Sequence, residues 1–422
     1  MTLLPRILAG VAESGAASLP NHVATYGPLP GLGAHERDDL LASIEDAGLR
    51  GRGGAGFPTA VKFHAVMRSG GEPIVIANGA EGEPASAKDR LLLSAIPHLV
   101  LDGAVLAAQV VGAVEAIIAV PPEERVVEPV RIAIAERKKA KTDRVKLRLS
   151  TVPADTYLAG QETALIRYLM GGPAKPISPL HRPSERGFNR QPTLVQNVET
   201  LAQLAMLARH GSGWFRLIGT QEEPGSALVT ISGDVSAPGV YEIALGTPAA
   251  TVVAAAGGDV NRCRAILTGG YFGGWIDANH GASLTISDHD LRRHGSMLGA
   301  GVIVVLGSEA CPVAETARVV RYLANQSAGQ CGPCANGLPA ISVAIDRLAG
   351  GIPYAGVHDD LKRWCSVVRH RGACRHPDGV AGFVSSALTV FSQEFDDHAR
   401  NGACSACSAP PVLTLPQPLV TR

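Results

Sequence analysis

The sequence predicts an α/β protein with a largely parallel sheet in its first half, followed by a smaller α+β unit and a helical bundle. Short apolar runs such as 74–77 and 116–120 alternate with helix-length segments up to about residue 210. Near Ser226 the texture changes to short β segments separated by turns. From Pro312 onward the chain reads as four helical segments with short connections. The 422 residues also exceed what one hydrophobic core usually serves.

Residues 37–47 alternate charged and apolar positions as an amphipathic helix does, and they run into GLRGRGGAGFPT at 48–59. The five glycines between 48 and 56 exclude a helix or strand interior, so this stretch is a loop. Thr59 is the expected N-cap of the helix from Ala60 onward. Residues 72–78 read as a buried strand, 79–84 as a loop and 88–93 as a helix. The pattern predicts helix then strand over 103–120, helix over 126–139, strand over 144–151 and helix over 160–170. The chain loosens through 171–192, rich in Pro, Gly and Arg, and 197–209 is the last helix of a first domain spanning 1–220.

A second domain, 226–305, holds the β segments around LVTISGDV, VYEIAL and CRAILTGG, with a hairpin at 234–245 and a short helix at 249–256. Helices at 314–325, 339–348, 359–370 and 382–398 build a third domain, 312–400. Residues 401–422 form an extended tail that carries a CxxC and four prolines.

Composition removes several functions. Lys+Arg and Asp+Glu both number 38, which argues against a basic nucleic-acid binder and against an acidic tail. The apolar stretch 91–120 is broken by Pro97, His98, Asp102 and Glu115, so it predicts buried helix and strand and no direct membrane insertion. The first residues carry one charge and no long apolar core, a poor secretory signal, and a cytoplasmic location is expected.

Three places carry candidate chemistry. The loop from Gly51 to Gly56 offers backbone N–H groups unobstructed by side chains, with Arg50, Arg52 and Lys62 adding positive charge, so a phosphate or flat ring could lie against it. Its glycine spacing is neither that of a Walker loop nor that of a dinucleotide fingerprint, and a plain surface loop is the alternative. Asn78, Glu81 and Glu83 follow an apolar strand, where ligands of parallel sheets bind. Six of the eight cysteines fall between 331 and 407: Cys331, Cys334, Cys365, Cys374, Cys404 and Cys407. Two CxxC pairs suit an iron–sulfur cluster or zinc, and a dithiol redox pair or buried structural thiols remain open.

These residues resemble the FMN- and NADH-binding flavoprotein subunit of respiratory complex I, whose relatives occur in NAD-linked hydrogenases and formate dehydrogenases. The likeness runs from Ala24-Thr25-Tyr26-Gly27 to Phe391-Ser392-Gln393-Glu394-Phe395, and its specific motifs are 48–59, EGEP at 81–84, YLAGQETAL at 157–165, QPTLVQNVET at 191–200 and the cysteine segment 326–337. The resemblance implies a Rossmann-like FMN-binding domain, a β-grasp (SLBB) domain and a C-terminal four-helix bundle with one [4Fe–4S] cluster. It implies FMN contacts from Gly51, Arg52, Gly53, Gly54, Lys62, Asn78 and Glu81. Tyr157, Gly160, Gln196 and Asn197 match further flavin positions, and Gln161 and Glu162 lie on the nucleotide side.

The cluster ligands so implied are Cys331, Cys334 and Cys374, with Cys365 the expected substitute for a fourth and the tail pair Cys404 and Cys407 the competing source. The implied activity is that of an oxidoreductase of the NADH-dehydrogenase (diaphorase) or ferredoxin-linked kind. A flavin suits that task because it links a two-electron donor to one-electron carriers. Electrons would pass between a soluble donor, NADH or a ferredoxin-like protein, and a redox partner. The alternative is a scaffold subunit that kept the fold and lost NADH binding.

The chain departs from the family pattern at defined places. Ala80 stands where the family has an aspartate, Gln161 where it has a glutamate and Ala65 where it has an aromatic residue. His181 to Gly187 replaces a Pro-Phe-Pro segment. Ala328 occupies the position of the first cluster cysteine.

Overall fold

The structure is a computed structural model that describes residues 4–11, 15–178, 180–281 and 283–416; the last six residues of the expected tail lie outside the described residues. The chain divides into two compact units. The first comprises the described parts of 1–82, 87–229 and 240–246, and the second those of 83–86, 230–239 and 247–422.

The first unit holds helices α1 (Leu19–Tyr26), α2 (Ala34–Ala47) and α3 (Thr59–Arg68), then strand β1 (Ile74–Asn78), helices α4 (Lys88–Ala95) and α5 (Pro97–Val111), and β2 (Glu115–Val120). It continues with α6 (Glu124–Ala140), β3 (Lys146–Thr151), α7 (Glu162–Leu169), α8 (Pro183–Arg186), β4 (Thr193–Asn197) and α9 (Val198–Phe215). All four strands are parallel, in the order β3-β2-β1-β4. Alternate strand residues serve opposite faces, as the two-residue period of a strand requires. Val75, Ala77 and Leu194 join the larger core with α2, α5 and α9, while Ile74, Ile76 and Val195 pack with Leu165, Ile166 and Phe188.

Two boundaries differ from the sequence expectation for local reasons. The helix read from residue 103 begins at Pro97, since proline fits the first helical turn, where its missing N–H is no loss. It ends at Gly112, in the left-handed region at φ 78°. Thr59 does not cap α3: it is the first helical residue, Pro58 holds the cap position, and the Thr59 N–H donates to the Leu49 carbonyl at 2.9 Å. Helices α5 and α9 meet backbone to backbone. A Cβ on Gly103 would lie 2.0 Å from the Leu201 carbonyl oxygen, so only glycine permits that approach.

Further along the chain are β5 (Ser226–Gly233), β6 (Gly239–Ala244), β7 (Thr247–Pro248), α10 (Ala249–Ala255), β8 (Ala265–Thr268), β9 (Gly274–Asp277), β10 (Thr285–Ile286), α11 (Asp288–Arg293) and β11 (Val302–Leu306). Strand β6 neighbours β5, as the expected hairpin requires. In the second unit β11 pairs parallel with the latter half of β5 and antiparallel with β8, which pairs antiparallel with β9.

The helical part comprises α12 (Pro312–Asn325), α13 (Leu338–Ala349), α14 (Val357–Val368), α15 (His376–Val390) and α16 (Ser392–Asn401), with a π-type turn at Pro333–Gly337 ahead of α13. The single helix expected over 382–398 is therefore two. Phe391 separates them, its buried ring packed edge-on at 5.3 Å from Trp275. Helix α12 touches α13 and α15, and α14 touches the same two, so the four close a ring that α16 also contacts.

Among the described residues no single helix is long and apolar enough to cross a membrane. The apolar pair α4 and α5 is sharply bent, and α5 is buried along nearly its whole length.

Candidate functional site

The chain passes β1, β2 and β3 in one direction and then returns to place β4 on the free edge of β1, so the strand order reverses between β1 and β4. Ligands of open parallel sheets bind beyond the carboxyl ends of strands at such a reversal. Asn78 and Asn197 end these two strands and are partners in register, with Ala77 opposite Gln196. The Asn78 amide nitrogen donates to the Gly160 carbonyl at 2.8 Å, while its oxygen accepts the Ala80 N–H at 3.2 Å. Asn197 caps α9, accepting the Glu199 N–H at 2.9 Å.

The glycine loop closes over the same strand ends. At its base the Gly51 N–H donates to the Phe57 carbonyl at 2.9 Å. Gly54 at φ 112° takes a backbone conformation that side chains disfavour, and a Cβ on Gly53 would press within 3.2 Å of the Asn197 side chain. Lys62 Nζ donates to the Glu162 carboxylate and to the Val195 carbonyl, both at 3.2 Å. The Gln196 Nε2 is a buried donor with no acceptor among the described residues. Gly53, Lys62, Asn78, Gly160, Glu162, Gln196 and Asn197 are thus gathered about one reversal point. Backbone donors, a cation and an unmatched buried amide fit an anionic, planar cofactor such as FMN.

Other expected residues turn their side chains to other tasks. Arg52 points its guanidinium under the loop, donating to the Ser226 carbonyl at 3.1 Å and to the Arg50 carbonyl at 3.3 Å. Glu81 anchors the start of α4, its oxygens accepting the Asp89 N–H at 3.0 Å, the Arg90 N–H at 3.1 Å and the Arg90 guanidinium at 3.0 Å. Gln161 caps α7, accepting the Thr163 and Ala164 N–H groups at 2.9 Å. Tyr157 contributes backbone: its carbonyl would lie 2.3 Å from a Cβ on Gly82.

Beneath the strand ends lies a buried ionic group that sequence reading missed. Lys88 Nζ contacts Asp89 at 2.7 Å and Glu199 at 3.0 Å, and Asp89 in turn accepts from Asn197 at 2.6 Å. Burial alone would lower the Lys88 pKa, but the carboxylates of Asp89, Glu199 and Glu81 outweigh it and hold the ammonium above its ordinary value. Burial raises the Asp89 pKa against the pull of Lys88. No short motif signals this group, because Lys88 and Glu199 meet only through the fold.

In the second unit the cysteine sulfurs fall into two groups, and Cys263 and Cys365 stand outside both. Cys331, Cys334 and Cys374 form the first. Burial opposes ionisation of Cys331, but the N–H groups of Cys334 and Ala373 aimed at its sulfur bring its pKa below the usual thiol value. Burial and the adjacent Cys331 push Cys334 up to about 12. Burial also raises Cys374, whose sulfur accepts the His376 N–H and senses Cys331. Sulfurs approached by backbone N–H groups in this way suit the ligands of an iron–sulfur cluster, and Ala328 offers no sulfur.

Cys365, expected as the substitute ligand, is one of the two cysteines outside these groups. It is buried on α14, pushed up to about 11 by burial, with its sulfur against the Ser385 hydroxyl of α15. The second group joins Cys404 and Cys407 to Cys311 and His398. The extended tail therefore folds back at its CxxC. Cys311 lies outside the cysteine run at 331–407 and no motif marks His398, since nothing local connects residues 87 positions apart.

Comparison with known proteins accords with both regions. Residues 44–206 match the Nuo51 FMN-binding domain, and residues 314–398 match the NADH-ubiquinone oxidoreductase-F iron-sulfur binding region. The chain is 31% identical over 386 residues to a NADH-quinone oxidoreductase subunit of Rhizobium meliloti, covering 88% of this chain and 91% of that protein. It is 30% identical to a NADH-quinone oxidoreductase subunit of Streptomyces coelicolor, covering 87% and 84% of the two chains. Among solved structures, an air-oxidized NAD+-reducing [NiFe]-hydrogenase superposes with a TM-score of 0.80 at 31% identity, covering 87% of this chain but only 64% of that one. The chain belongs to the family of FMN- and iron–sulfur-binding oxidoreductase subunits that includes these two NADH-quinone oxidoreductase proteins.

Proposed function

We propose that the chain holds FMN at the β1/β4 reversal and an iron–sulfur cluster at Cys331, Cys334 and Cys374, and passes electrons between a soluble donor and a redox protein within a larger complex. The observation that carries this reading is the register pairing of Asn78 with Asn197 beneath the glycine loop, beside the unmatched Gln196 amide. FMN bound there supplies the exchange of electron pairs for single electrons. Gly53, Gly54 and Lys62 receive the anionic end of the cofactor, Gly51 and Arg52 hold the loop in shape, and Asn78, Gln196 and Asn197 orient the planar end. Because Cys365 faces Ser385, the cluster position vacated by Ala328 is completed by a non-protein ligand. The family division into 1–220, 226–305 and 312–400 is adopted with it, the strands β5 to β11 forming the SLBB domain and the ring α12 to α15 the four-helix bundle.

The donor side departs from the NADH-binding pattern, and a reduced ferredoxin-like protein is the donor this site favours over NADH. Ala65 offers a methyl group where a stacking ring stood, and the Gln161 carbonyl oxygen is spent on capping α7. Purified protein is expected to show flavin absorbance and release FMN on denaturation. In stopped flow, reduced ferredoxin should bleach the flavin faster than NADH does. Folded protein that binds no FMN under reconstitution refutes the cofactor reading, and rapid bleaching by micromolar NADH refutes the donor assignment alone.

A further inference from the structure

The sulfur group of Cys311, His398, Cys404 and Cys407 lies apart from the cluster site. Cys311 precedes α12 and Ala328 follows it, and the 14 residues of that helix separate the two ends by about 21 Å at about 1.5 Å per residue. Three of its four residues, Cys311, Cys404 and Cys407, lie outside the 314–398 stretch matched to the iron–sulfur region.

The spacing of the donor atoms identifies the occupant. Cys407 Sγ lies 3.4 Å from Cys311 Sγ and 3.7 Å from Cys404 Sγ, while His398 Nε2 lies 3.6 Å from Cys311 Sγ and 3.9 Å from Cys407 Sγ. All four donor atoms fall within 4.8 Å of one another. Metal–sulfur bonds of about 2.3 Å and metal–nitrogen bonds of about 2.0 Å place the corners of a tetrahedron about 3.8 Å apart for two sulfurs and about 3.5 Å apart for sulfur and nitrogen. The site therefore has the dimensions of one ion. The ligand sulfurs of a cubane, each on a separate iron, stand farther apart.

Two further contacts prepare the donors. The other imidazole nitrogen, His398 Nδ1, lies 3.2 Å from the Leu348 carbonyl, to which its N–H donates, leaving Nε2 as the lone-pair atom facing the thiols. Cys311 caps α12, its sulfur accepting the Ala314 N–H at 3.4 Å, which holds that sulfur in place at the start of the helix. Cys311 and His398 are buried, Cys407 is half-buried and Cys404 is exposed, so an ion can enter from the Cys404 side.

We propose that Cys311, His398, Cys404 and Cys407 bind a single zinc ion, and that this ion fastens the C-terminal segment to α12 and α16. Binding releases the three thiol protons to solvent and leaves three thiolates and a neutral imidazole on the metal, with no change of oxidation state. Beyond the site the segment continues along the same surface. The Val412 and Leu413 N–H groups donate to Glu315 at 3.1 and 2.8 Å, the Leu413 side chain is buried, and the Tyr271 hydroxyl donates to the Thr414 carbonyl at 2.5 Å.

The test measures zinc and iron in the full chain as isolated, in Cys407→Ser, His398→Ala, His398→Cys and Cys331→Ser, together with limited proteolysis of the C-terminal segment. Wild-type protein should hold zinc in equimolar amount besides its iron. Cys407→Ser and His398→Ala should lower zinc affinity by about tenfold or more and expose the segment to protease, with iron content unchanged. His398→Cys, which keeps a soft ligand, should retain zinc, an outcome that a merely structural histidine would not give. Cys331→Ser should lose iron and keep zinc. Zinc unaffected by Cys407→Ser and His398→Ala, loss of iron in their place, or a disulfide among Cys311, Cys404 and Cys407 in the native protein would each overturn the proposal.

Discussion

Asn197 donates its side-chain amide to the Asp89 carboxylate at 2.6 Å while its oxygen caps α9, so one residue ties the end of β4 to the buried ionic group around Lys88. Asp, which also caps helices well, would keep the second duty and reverse the first.

Asn197→Asp should therefore retain α9 yet set two carboxylates against each other beside Lys88. The expected cost is about 2 kcal/mol of stability, with weakened flavin retention. Thermal unfolding and FMN titration of the variant measure the two effects separately. Stability equal to wild type would show that the Asp89 contact carries no weight.

Gly103→Ala should destabilise the first unit by about 3 kcal/mol, because the new methyl group meets the Leu201 carbonyl and α5 must move off α9. Gly213→Ala, at an exposed position in the last turn of α9 beyond the break at Gly211, brings a Cβ that meets nothing within 4 Å and should be neutral or slightly stabilising. Denaturant unfolding of the two variants measures the difference.

Acid should weaken the fold through His98. Burial pushes this imidazole down to about 4, against the hydrogen bond to Glu136 and in the same sense as the nearby His22 and Arg137. An unfolded histidine titrates near ~6.5, so between that pH and about 4 the unfolded chain takes up a proton that the native one refuses. The contribution is complete above ~6.5, declines on acidification and is exhausted near 4, a loss of at most about 3 kcal/mol. His98→Gln should flatten that part of the stability–pH curve. Asp102 acts at lower pH: burial would raise it, but His22, Arg137 and Arg209 hold it below the usual carboxylate range, so its share fades only as pH falls beneath about 4.

Cys365→Ser should leave the iron content unchanged, since its sulfur faces Ser385. Ala328→Cys should do the opposite of a loss: a thiol returned to the buried Ala328 position gives the cluster a fourth protein ligand and slows its bleaching by dioxygen. Iron and sulfide content with EPR, before and after air exposure, reads both variants.

The elements that the sequence revealed were those whose signal is local. The glycine run at 48–56 could only be a loop, and the apolar strands ending at Asn78 and Val120 stand in their expected places. Thr59 misled because a threonine before a helical run suits the cap equally well as a first residue, and the choice fell to the Leu49 carbonyl across the loop. The break at Phe391 was hidden because the residues on both sides favour helix, and the turn is made by packing on Trp275. Glu81, expected at the flavin, and Gln161, expected on the nucleotide side, both also serve helix N-termini, a duty that no local signal separates from ligand binding. Lys88 with Glu199, and Cys311 with His398, were illegible for one reason: each pair is joined only by tertiary contact.

Asn78 and Asn197 are separated by 119 positions along the chain, although they lie side by side at the carboxyl edge of the sheet. During synthesis, β1, β2 and β3 leave the ribosome well before β4 exists to cover the other side of β1. A nascent chain halted before Thr193 thus carries three hydrogen-bonded strands and an open apolar edge at β1, which is prone to pair with another chain. Closure of that edge and completion of the flavin cradle are one event, late and set by loop closure over a long span. Flavin added during translation should therefore hasten no early step of folding, and it should capture the chain only after β4 has docked.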